Sequence, residues 1–208
     1  MKKLFTFALS AVALMALSAC GGASYSKEVL EDKDGYSYHA VGGWGEWAGA
    51  DGNKMAATSV AEVAKLDKEV ANKLAKKNLK HLYSFEITLT EASWGANDPT
   101  ALVNGEVKTF PGGHTVKVLR CKYNAEKEAY GDDFWYPNPG DNQNNHVEAL
   151  TSNLFISPFQ KLPDENGFSW ADNPVVTSET GTYTLVFAEY NAVASETVAN
   201  AGFAVIAK

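Results

Sequence analysis

Tryptophans set among glycine, asparagine and aspartate are the residues of this sequence best suited to chemistry with a ligand. Trp44 and Trp47 lie three residues apart in VGGWGEWAGADGNKM, among glycines that have no side chain to cover an indole face. An aromatic face beside amide and carboxylate groups suits a neutral sugar, whose C–H face stacks on the ring while its hydroxyls form hydrogen bonds. The stretch predicts an exposed ligand-binding surface, with a turn that buries both rings as the alternative.

A second stretch, YGDDFWYPNPGDNQNNH, places three consecutive aromatic residues in a segment predicted to be a polar loop. Consecutive residues cannot all point into one core, so at least one ring is expected to face outward. Trp94 and Trp170 each follow a strand or turn, beside small and amide-bearing residues. The residues predicted to stack on a ligand are Trp44, Trp47, Trp135 and Tyr136, with Trp94 and Trp170 behind them. Those predicted to bond its hydroxyls are Asp133, Asn138, Asp141 and Asn142.

Other chemistry has weaker support in the sequence. The acidic and amide oxygens of the second stretch are of the type that calcium binds, but their spacing matches no EF-hand, and turn formation explains them as well. The motifs G-x-S-x-G, H-E-x-x-H, C-x-x-C and the phosphate-binding loop are all absent from the sequence. The four histidines are far apart and have no neighbour at metal-ligand spacing. We therefore predict no enzyme activity, no metal site and no cofactor.

The first twenty residues have the order of an export signal. Lys2 and Lys3 precede an apolar run from Leu4 to about Leu17, which is shorter than the roughly 20 residues that a membrane span needs. The Leu-Ser-Ala-Cys sequence that follows resembles the bacterial lipobox. That resemblance implies cleavage of residues 1–19, lipid attachment at Cys20, and an outer-membrane or outer-surface location, since an acidic pair does not follow the cysteine.

The composition bounds the class of protein. Removal of residues 1–19 leaves 189 residues with 16 basic and 25 acidic side chains, a net charge of −9. Such an acidic chain is poorly suited to nucleic acid, and its length fits a single domain. Residues 20–35 are small, polar and charged, and predict a flexible tether before a domain over residues 36–208. Cys121 is predicted to be a half-buried strand residue.

The elements that must position these residues are mostly strands. Residues 36–41 and 80–90 alternate, with Tyr83, Phe85, Ile87 and Leu89 forming an apolar face in the second run and the opposite set a wet face. Residues 110–114 predict a turn, residues 115–123 a strand with a bulge or a two-sided environment, and residues 153–160 an edge strand or loop. Two closing strands are predicted around residues 183–187 and 203–206.

One helix is predicted over residues 59–78. Ser59 and Glu62 form a capping box, and the apolar residues recur at helical spacing: Val63, Leu66, Val70 and Leu74. Its lysine-rich outer face is predicted to be solvated. Together the elements predict an all-β domain, mainly an antiparallel and immunoglobulin-like β-sandwich, with one inserted amphipathic helix.

Four segments together resemble a known family. The strand entering VGGWGEW, the turn ADGNKM, the strand LYSFEITL and the closing GTYTLVF are similar to the starch-binding surface lipoproteins of the SusE and SusF type. That resemblance implies a β-sandwich that binds α-glucan, with Trp44 and Trp47 as the platform. It departs from the family in its inserted helix and single domain.

We therefore predict a lipid-anchored cell-surface protein that binds a polysaccharide or oligosaccharide without catalysis. The alternatives are a structural or adhesion lipoprotein, whose aromatic loops bind an envelope protein partner, and a degenerate hydrolase. The chain has many carboxylates but no recognisable opposed pair of the kind a glycosidase needs.

Overall fold

The computed structural model describes residues 24–45, 47–90, 100–103, 106–137, 147–156, 175–176, 180–191 and 199–208. The predictions for Cys20, Trp94, Trp170, Asn138, Asp141 and Asn142 lie outside these residues. Within the described ranges, no helix is long and apolar enough to cross a membrane.

Strands predominate among the described residues. They are β1 (Tyr36–Gly42), β2 (Ala56–Ala57), β3 (Leu79–Leu89), β4 (Thr100–Val103), β5 (Glu106–Thr109), β6 (His114–Asn124), β7 (Ala129–Tyr136), β8 (Val147–Ala149), β9 (Leu154–Phe155), β10 (Val175–Val176), β11 (Gly181–Tyr190) and β12 (Ala201–Ala207). The helices are α1 (Val60–Leu66) and α2 (Lys68–Leu74), with a short 3-10 turn at Asp51–Asn53.

Most of these strands belong to two five-stranded sheets. Sheet 1 has the order β1-β6-β10-β9, with β7 also paired to β6. Sheet 2 has the order β2-β3-β11-β12-β8, and β4 pairs with β5 separately. Every pair is antiparallel except β8 with β12. The prediction of a mainly antiparallel all-β protein is therefore confirmed.

The largest apolar cluster joins the two sheets. Side chains of both enter it, among them Tyr38, Ala40, Val118 and Tyr136 from sheet 1 and Ile87, Leu185, Phe187 and Phe203 from sheet 2. The rings of Tyr38 and Tyr83 stack across this cluster with centroids 4.4 Å apart. One face of each sheet is thus removed from water, which is the main source of hydrophobic stabilisation.

A second cluster covers the other face of sheet 2. Val63, Val70 and Leu74 of the two helices pack there with Leu82 and Val186. Leu82 is fully buried, so the prediction that its side of β3 would be wet is wrong at this position. The helices supply the cover that strand alternation alone does not reveal.

The single helix predicted over residues 59–78 is wrong, since two short helices meet at Asp67. The backbone of Asp67 is extended, and the Asp67 carboxylate accepts hydrogen bonds from the N–H groups of Glu69 (2.7 Å) and Val70 (3.0 Å). Asp67 therefore ends α1 and caps α2, because a side chain that bonds these free N–H groups favours a new helix start. Leu66 precedes the break and is 47% exposed. Ser59 caps α1 by accepting from Glu62 N–H, which is one half of the predicted capping box.

Residues 24–35, here called the N-terminal arm, contact the domain at several points from Tyr25 to Asp32. Tyr25 Oη donates to Asn72 Oδ1 (2.9 Å) beside the helices. The carbonyl of Leu30 accepts from Leu82 N–H (2.9 Å), and both Tyr25 and Leu30 pack against the helix cluster. The described part of the predicted flexible tether thus lies on the domain surface.

A buried polar network holds the arm near its end, at Asp32. Glu189 Oε2 accepts from Tyr38 Oη (2.7 Å) and lies 2.9 Å from His81 Nδ1, while Lys80 Nζ donates to its other oxygen (3.0 Å). Asp32 of the arm lies beside them, 3.4 Å from Tyr38 Oη. Polar groups that leave water need such partners, so the network fixes the arm between strands of both sheets.

The pairing and burial of β6, β9, β11 and β12 bear on the remaining strand predictions. In β6, Val118 faces the main cluster and Leu119 the opposite side, and the pairing with β7 shifts register between Arg120 and Cys121. Both expected explanations of its irregular pattern therefore apply. The edge position of β9 and the two closing strands, β11 and β12, are confirmed, and these two strands pair with each other.

Candidate functional site: an aromatic face on sheet 1

The glycine-rich segment after β1 folds back across sheet 1. His39 is fully buried in β1, and its Nδ1–H donates to Ala50 O and Asn53 Oδ1, each at 2.9 Å. Its other ring nitrogen accepts from Ser37 Oγ (2.8 Å). Burial lowers the pKa of His39, so the neutral ring is favoured and acts as a fixed link between strand and loop.

Gly49 allows the loop to approach the sheet closely. A Cβ at this position would lie 2.6 Å from Cys121 Sγ and 3.1 Å from Tyr130 Cβ. Glycine is therefore required at position 49 because a side chain would collide with Cys121, and not because the backbone adopts a conformation that only glycine favours. The buried Cys121 is covered by this loop, and it packs with Val41 and Leu119 in a third apolar cluster.

Trp47 and Trp135 come together above that cluster. Their rings are nearly parallel, with an interplanar angle of 22° and centroids 6.5 Å apart, and both side chains are half-buried. Lys117 Nζ lies 5.8 Å from the Trp135 ring centroid. Two residues that are distant in the sequence, each predicted to stack on a ligand, thus form one indole pair.

Two tyrosines extend this surface along the strands. Tyr123 and Tyr130 are paired across β6 and β7, with ring centroids 5.1 Å apart, and Tyr123 is 52% exposed. We call Trp47, Tyr123, Tyr130 and Trp135 the aromatic face. Sequence reasoning missed both tyrosines, although YNAEKEAY carries a signal: a hairpin centred on this stretch places its two end residues opposite each other.

The consecutive aromatics of the second stretch lie in a strand, so the predicted loop is wrong for residues 130–136. Phe134 and Tyr136 pack with the main cluster, and Trp135 points to the other face. Tyr136 is only 2% exposed, so its prediction as a stacking residue is wrong. Strand alternation explains the run. Asp133 lies in this strand, and its side chain is outside the description.

Trp44 does not join the indole pair. Its ring lies over the backbone of Gly42, where any Cβ would collide with it, and it packs against the main cluster. It is half-buried and lines a separate cavity of about 340 Å³ with Asn53 and Phe85. The two tryptophans of VGGWGEW therefore serve different surfaces, and only Trp47 belongs to the aromatic face.

A cavity of about 430 Å³ with mixed polar and apolar walls adjoins the tyrosine end of the aromatic face. Its lining includes Tyr36, Tyr123 and Tyr130 together with Glu31, Asp32, Asp51 and Lys54. Tyr130 Oη donates to Asp51 Oδ1 (2.6 Å), and this bond raises the pKa of Tyr130 to about 12. The bond holds Asp51 at the rim with a second oxygen available to a ligand. Asp51 and Lys54 carried no motif that sequence reasoning could detect.

Among the described residues, no group of three or more His, Cys, Asp or Glu side chains is placed to hold a metal ion. Comparison with protein-family models gives no match, and comparisons with curated proteins and with solved structures give none either. The function of this chain must therefore be argued from its own geometry.

Proposed function

We propose that the protein is a cell-surface lipoprotein, anchored through Cys20, that binds a glycan without catalysis at the aromatic face. The observation that supports this most directly is the nearly parallel pair of half-exposed indoles, Trp47 and Trp135, beside a cavity lined by both charged side chains and tyrosine rings. A saccharide would lie against the indoles and direct hydroxyls toward the cavity.

The energies of such contacts suit a surface receptor. Each aromatic contact contributes about 0.5–1.5 kcal/mol beyond area burial, and each net hydrogen bond contributes about the same. Two or three rings with a few hydrogen bonds would give a total of roughly −4 to −8 kcal/mol, which corresponds to millimolar to micromolar affinity. The cavity also has the size of ordinary ligand sites, which hold about 300–1,000 Å³.

Asp51 and Lys54 are the side chains we propose as hydroxyl partners. Both line the cavity, and Asp51 is oriented by Tyr130. A carboxylate and an ammonium group together can accept from and donate to a polyol, which matches a neutral sugar better than an ion of either sign. The resemblance to starch-binding lipoproteins makes an α-glucan the first candidate.

We also propose that the two sheets form an immunoglobulin-like β-sandwich. The support is the main cluster that they share and the antiparallel pairing of every strand pair in them except β8 with β12. In such an arrangement the aromatic face occupies the outer side of one sheet, and not the loops at its end.

Affinity electrophoresis with a soluble form, residues 21–208, tests the glycan-binding proposal. Retention by a polysaccharide, α-glucans first, should be lost in Trp47→Ala and in Trp135→Ala, because each removes half of the indole pair. Trp44→Ala is the matched control, since it removes an indole from the other side of the same loop and should leave retention unchanged. Thermal unfolding of each variant establishes that the domain is folded.

Other outcomes would contradict the proposal. Unchanged retention in both folded indole variants would remove the aromatic face from binding. Absence of retention across polysaccharides, with capture of an envelope protein by the wild type but not by Trp47→Ala, would favour an adhesion role. Hydrolysis of a glycan by the purified protein would favour the hydrolase alternative.

A further inference from the structure

We propose that the surface formed by α1 and α2 rests on anionic lipid headgroups, so that the aromatic face points away from the membrane. This inference rests on the anchoring at Cys20 in the proposed function and adds an orientation to it. It follows from where the N-terminal arm begins, how the layers are stacked, and how charge is distributed.

The arm begins beside the helices. Tyr25 donates to Asn72 of α2, and the carbonyl of Ser26 accepts from Ala61 N–H of α1 (2.9 Å). Four peptide links join Cys20 to Ser24, and a fully extended chain of that length spans at most about 14 Å. An acylated Cys20 therefore keeps the bilayer surface close to the helix layer, whatever path those residues take.

The aromatic face lies on the far side of the molecule from that layer. The helices cover one face of sheet 2, the main cluster joins sheet 2 to sheet 1, and Trp47 and Trp135 cover the opposite face of sheet 1. Stacked sheets alone are about 10 Å apart. A flat membrane that touches the helix layer therefore cannot also cover the indole pair.

Charge favours the same orientation. Residues 60–80 contain six lysines and three carboxylates, and two of those lysines, Lys77 and Lys80, are paired with Glu148 and Glu189. The other four leave a net charge of +1, whereas the rest of the chain after residue 19, these two ion pairs included, carries −10. Lys68 and Lys76 are exposed on this surface. Anionic headgroups attract such exposed lysines within a Debye length of about 8–10 Å. The lipid on Cys20 attaches the protein to the membrane. The modest positive charge of the helix surface therefore has only to favour one orientation of the attached protein.

Chemical labelling of lysines can measure the orientation. The lipoprotein is placed in vesicles of phosphatidylglycerol and phosphatidylcholine and treated with a water-soluble acetylating reagent, and each site is quantified by mass spectrometry. The reference is the soluble form, residues 21–208, mixed with the same vesicles. Acetylation of Lys68 and Lys76 should be several-fold slower in the anchored protein, while that of Lys54 and Lys117, beside the aromatic face, should be unchanged.

A linker variant provides a second test of the same inference. Insertion of about ten Gly-Ser residues after Gly22 lengthens the reach of the anchor without altering the described domain. Acetylation of Lys68 and Lys76 should then rise toward the soluble rate. Equal rates at Lys68 and Lys117 in the anchored protein, or slower labelling at Lys54 and Lys117, would overturn the orientation.

The test separates this inference from the proposed function. If mass spectrometry shows no acyl group on Cys20, the anchoring proposal fails, and coupling of the Cys20 thiol to a maleimide lipid still measures the orientation that the arm imposes. Glycan retention is measured on the soluble form, so its loss or presence does not affect the labelling result.

Discussion

At the residue scale, Trp44 and Trp47 show how a turn divides two neighbouring rings. The ring of Trp44 lies over Gly42 and against the main cluster, whereas Trp47 reaches the opposite face of sheet 1 and pairs with Trp135. A glycine at position 42 leaves the space that the first indole occupies. Sequence spacing alone therefore does not show which tryptophan can share a surface with a distant one.

Tyr123 offers the cleanest residue-scale test of the aromatic face. Its side chain is 52% exposed, so Tyr123→Ala should change the melting temperature little. Loss of one stacking ring should weaken glycan binding by about 0.5–1.5 kcal/mol, or roughly two- to tenfold. Titration calorimetry with the bound oligosaccharide checks this. Wild-type affinity in Tyr123→Ala would place the ligand on the indole pair alone.

The site was only partly predictable from residue types. Trp47 and Trp135 were recognisable because large rings in polar surroundings are unusual. Tyr136 was misassigned because its burial depends on strand alternation in a segment whose composition resembles a loop. Tyr123 and Tyr130 meet only through the pairing of β6 with β7, which no local pattern specifies.

At the element scale, the loop between β1 and β2 positions Trp47, and Gly49 controls its distance from the sheet. We expect Gly49→Ala to lower the melting temperature and to weaken glycan binding. Its methyl group would overlap Cys121 Sγ and crowd Tyr130, so the loop must move outward and carry Trp47 with it. Overpacking of this kind costs about 1–3 kcal/mol.

Two glycines of the same loop serve as matched controls. A Cβ at Gly45 or Gly52 would meet nothing within 4 Å. Gly45→Ala and Gly52→Ala should therefore leave both melting temperature and retention near the wild-type values. If Gly49→Ala behaves like these two variants in thermal unfolding and affinity electrophoresis, the loop does not depend on this contact.

Elements with a strong local pattern were predicted well, and the exceptions have physical causes. The alternation of β1 and the two closing strands, β11 and β12, follow from the apolar period and the turn residues. The break between α1 and α2 was missed because the helical spacing of apolar residues continues across Asp67. The Asp67 carboxylate bonds backbone N–H groups of α2, and this capping competes with an uninterrupted helix. Contacts of the N-terminal arm were missed because its few apolar residues, Tyr25, Val29 and Leu30, follow no regular period among polar and charged neighbours.

At the scale of the whole molecule, the network around Glu189 joins parts that no single element connects. It links Asp32 of the arm with Tyr38 of sheet 1 and with His81 of sheet 2. Burial would raise the pKa of Glu189, but hydrogen bonds from Tyr38, His81 and Lys80 hold it below its ordinary value. The ionised carboxylate is therefore the form that stabilises the fold.

The sign of the pH dependence follows from that depressed pKa. The unfolded chain takes up a proton at the ordinary carboxylate pKa of 4.5, whereas folded Glu189 takes it up only at lower pH. Its contribution to the free energy of unfolding is complete above that value and is lost as pH falls through the folded pKa. Urea unfolding at pH 7 and at successively lower pH should thus show stability declining in acid.

Glu189→Gln should remove part of that decline, because an amide does not titrate. We expect it to be destabilised by about 1–3 kcal/mol at pH 7, since Lys80 and His81 lose a charged partner in a buried site. From pH 5 downward its curve should converge with that of the wild type. Glu62→Gln is the control, because the Glu62–Lys65 pair is largely exposed and should contribute little. Parallel curves for wild type and Glu189→Gln would show that another group carries the acid sensitivity and that the arm is held without this carboxylate.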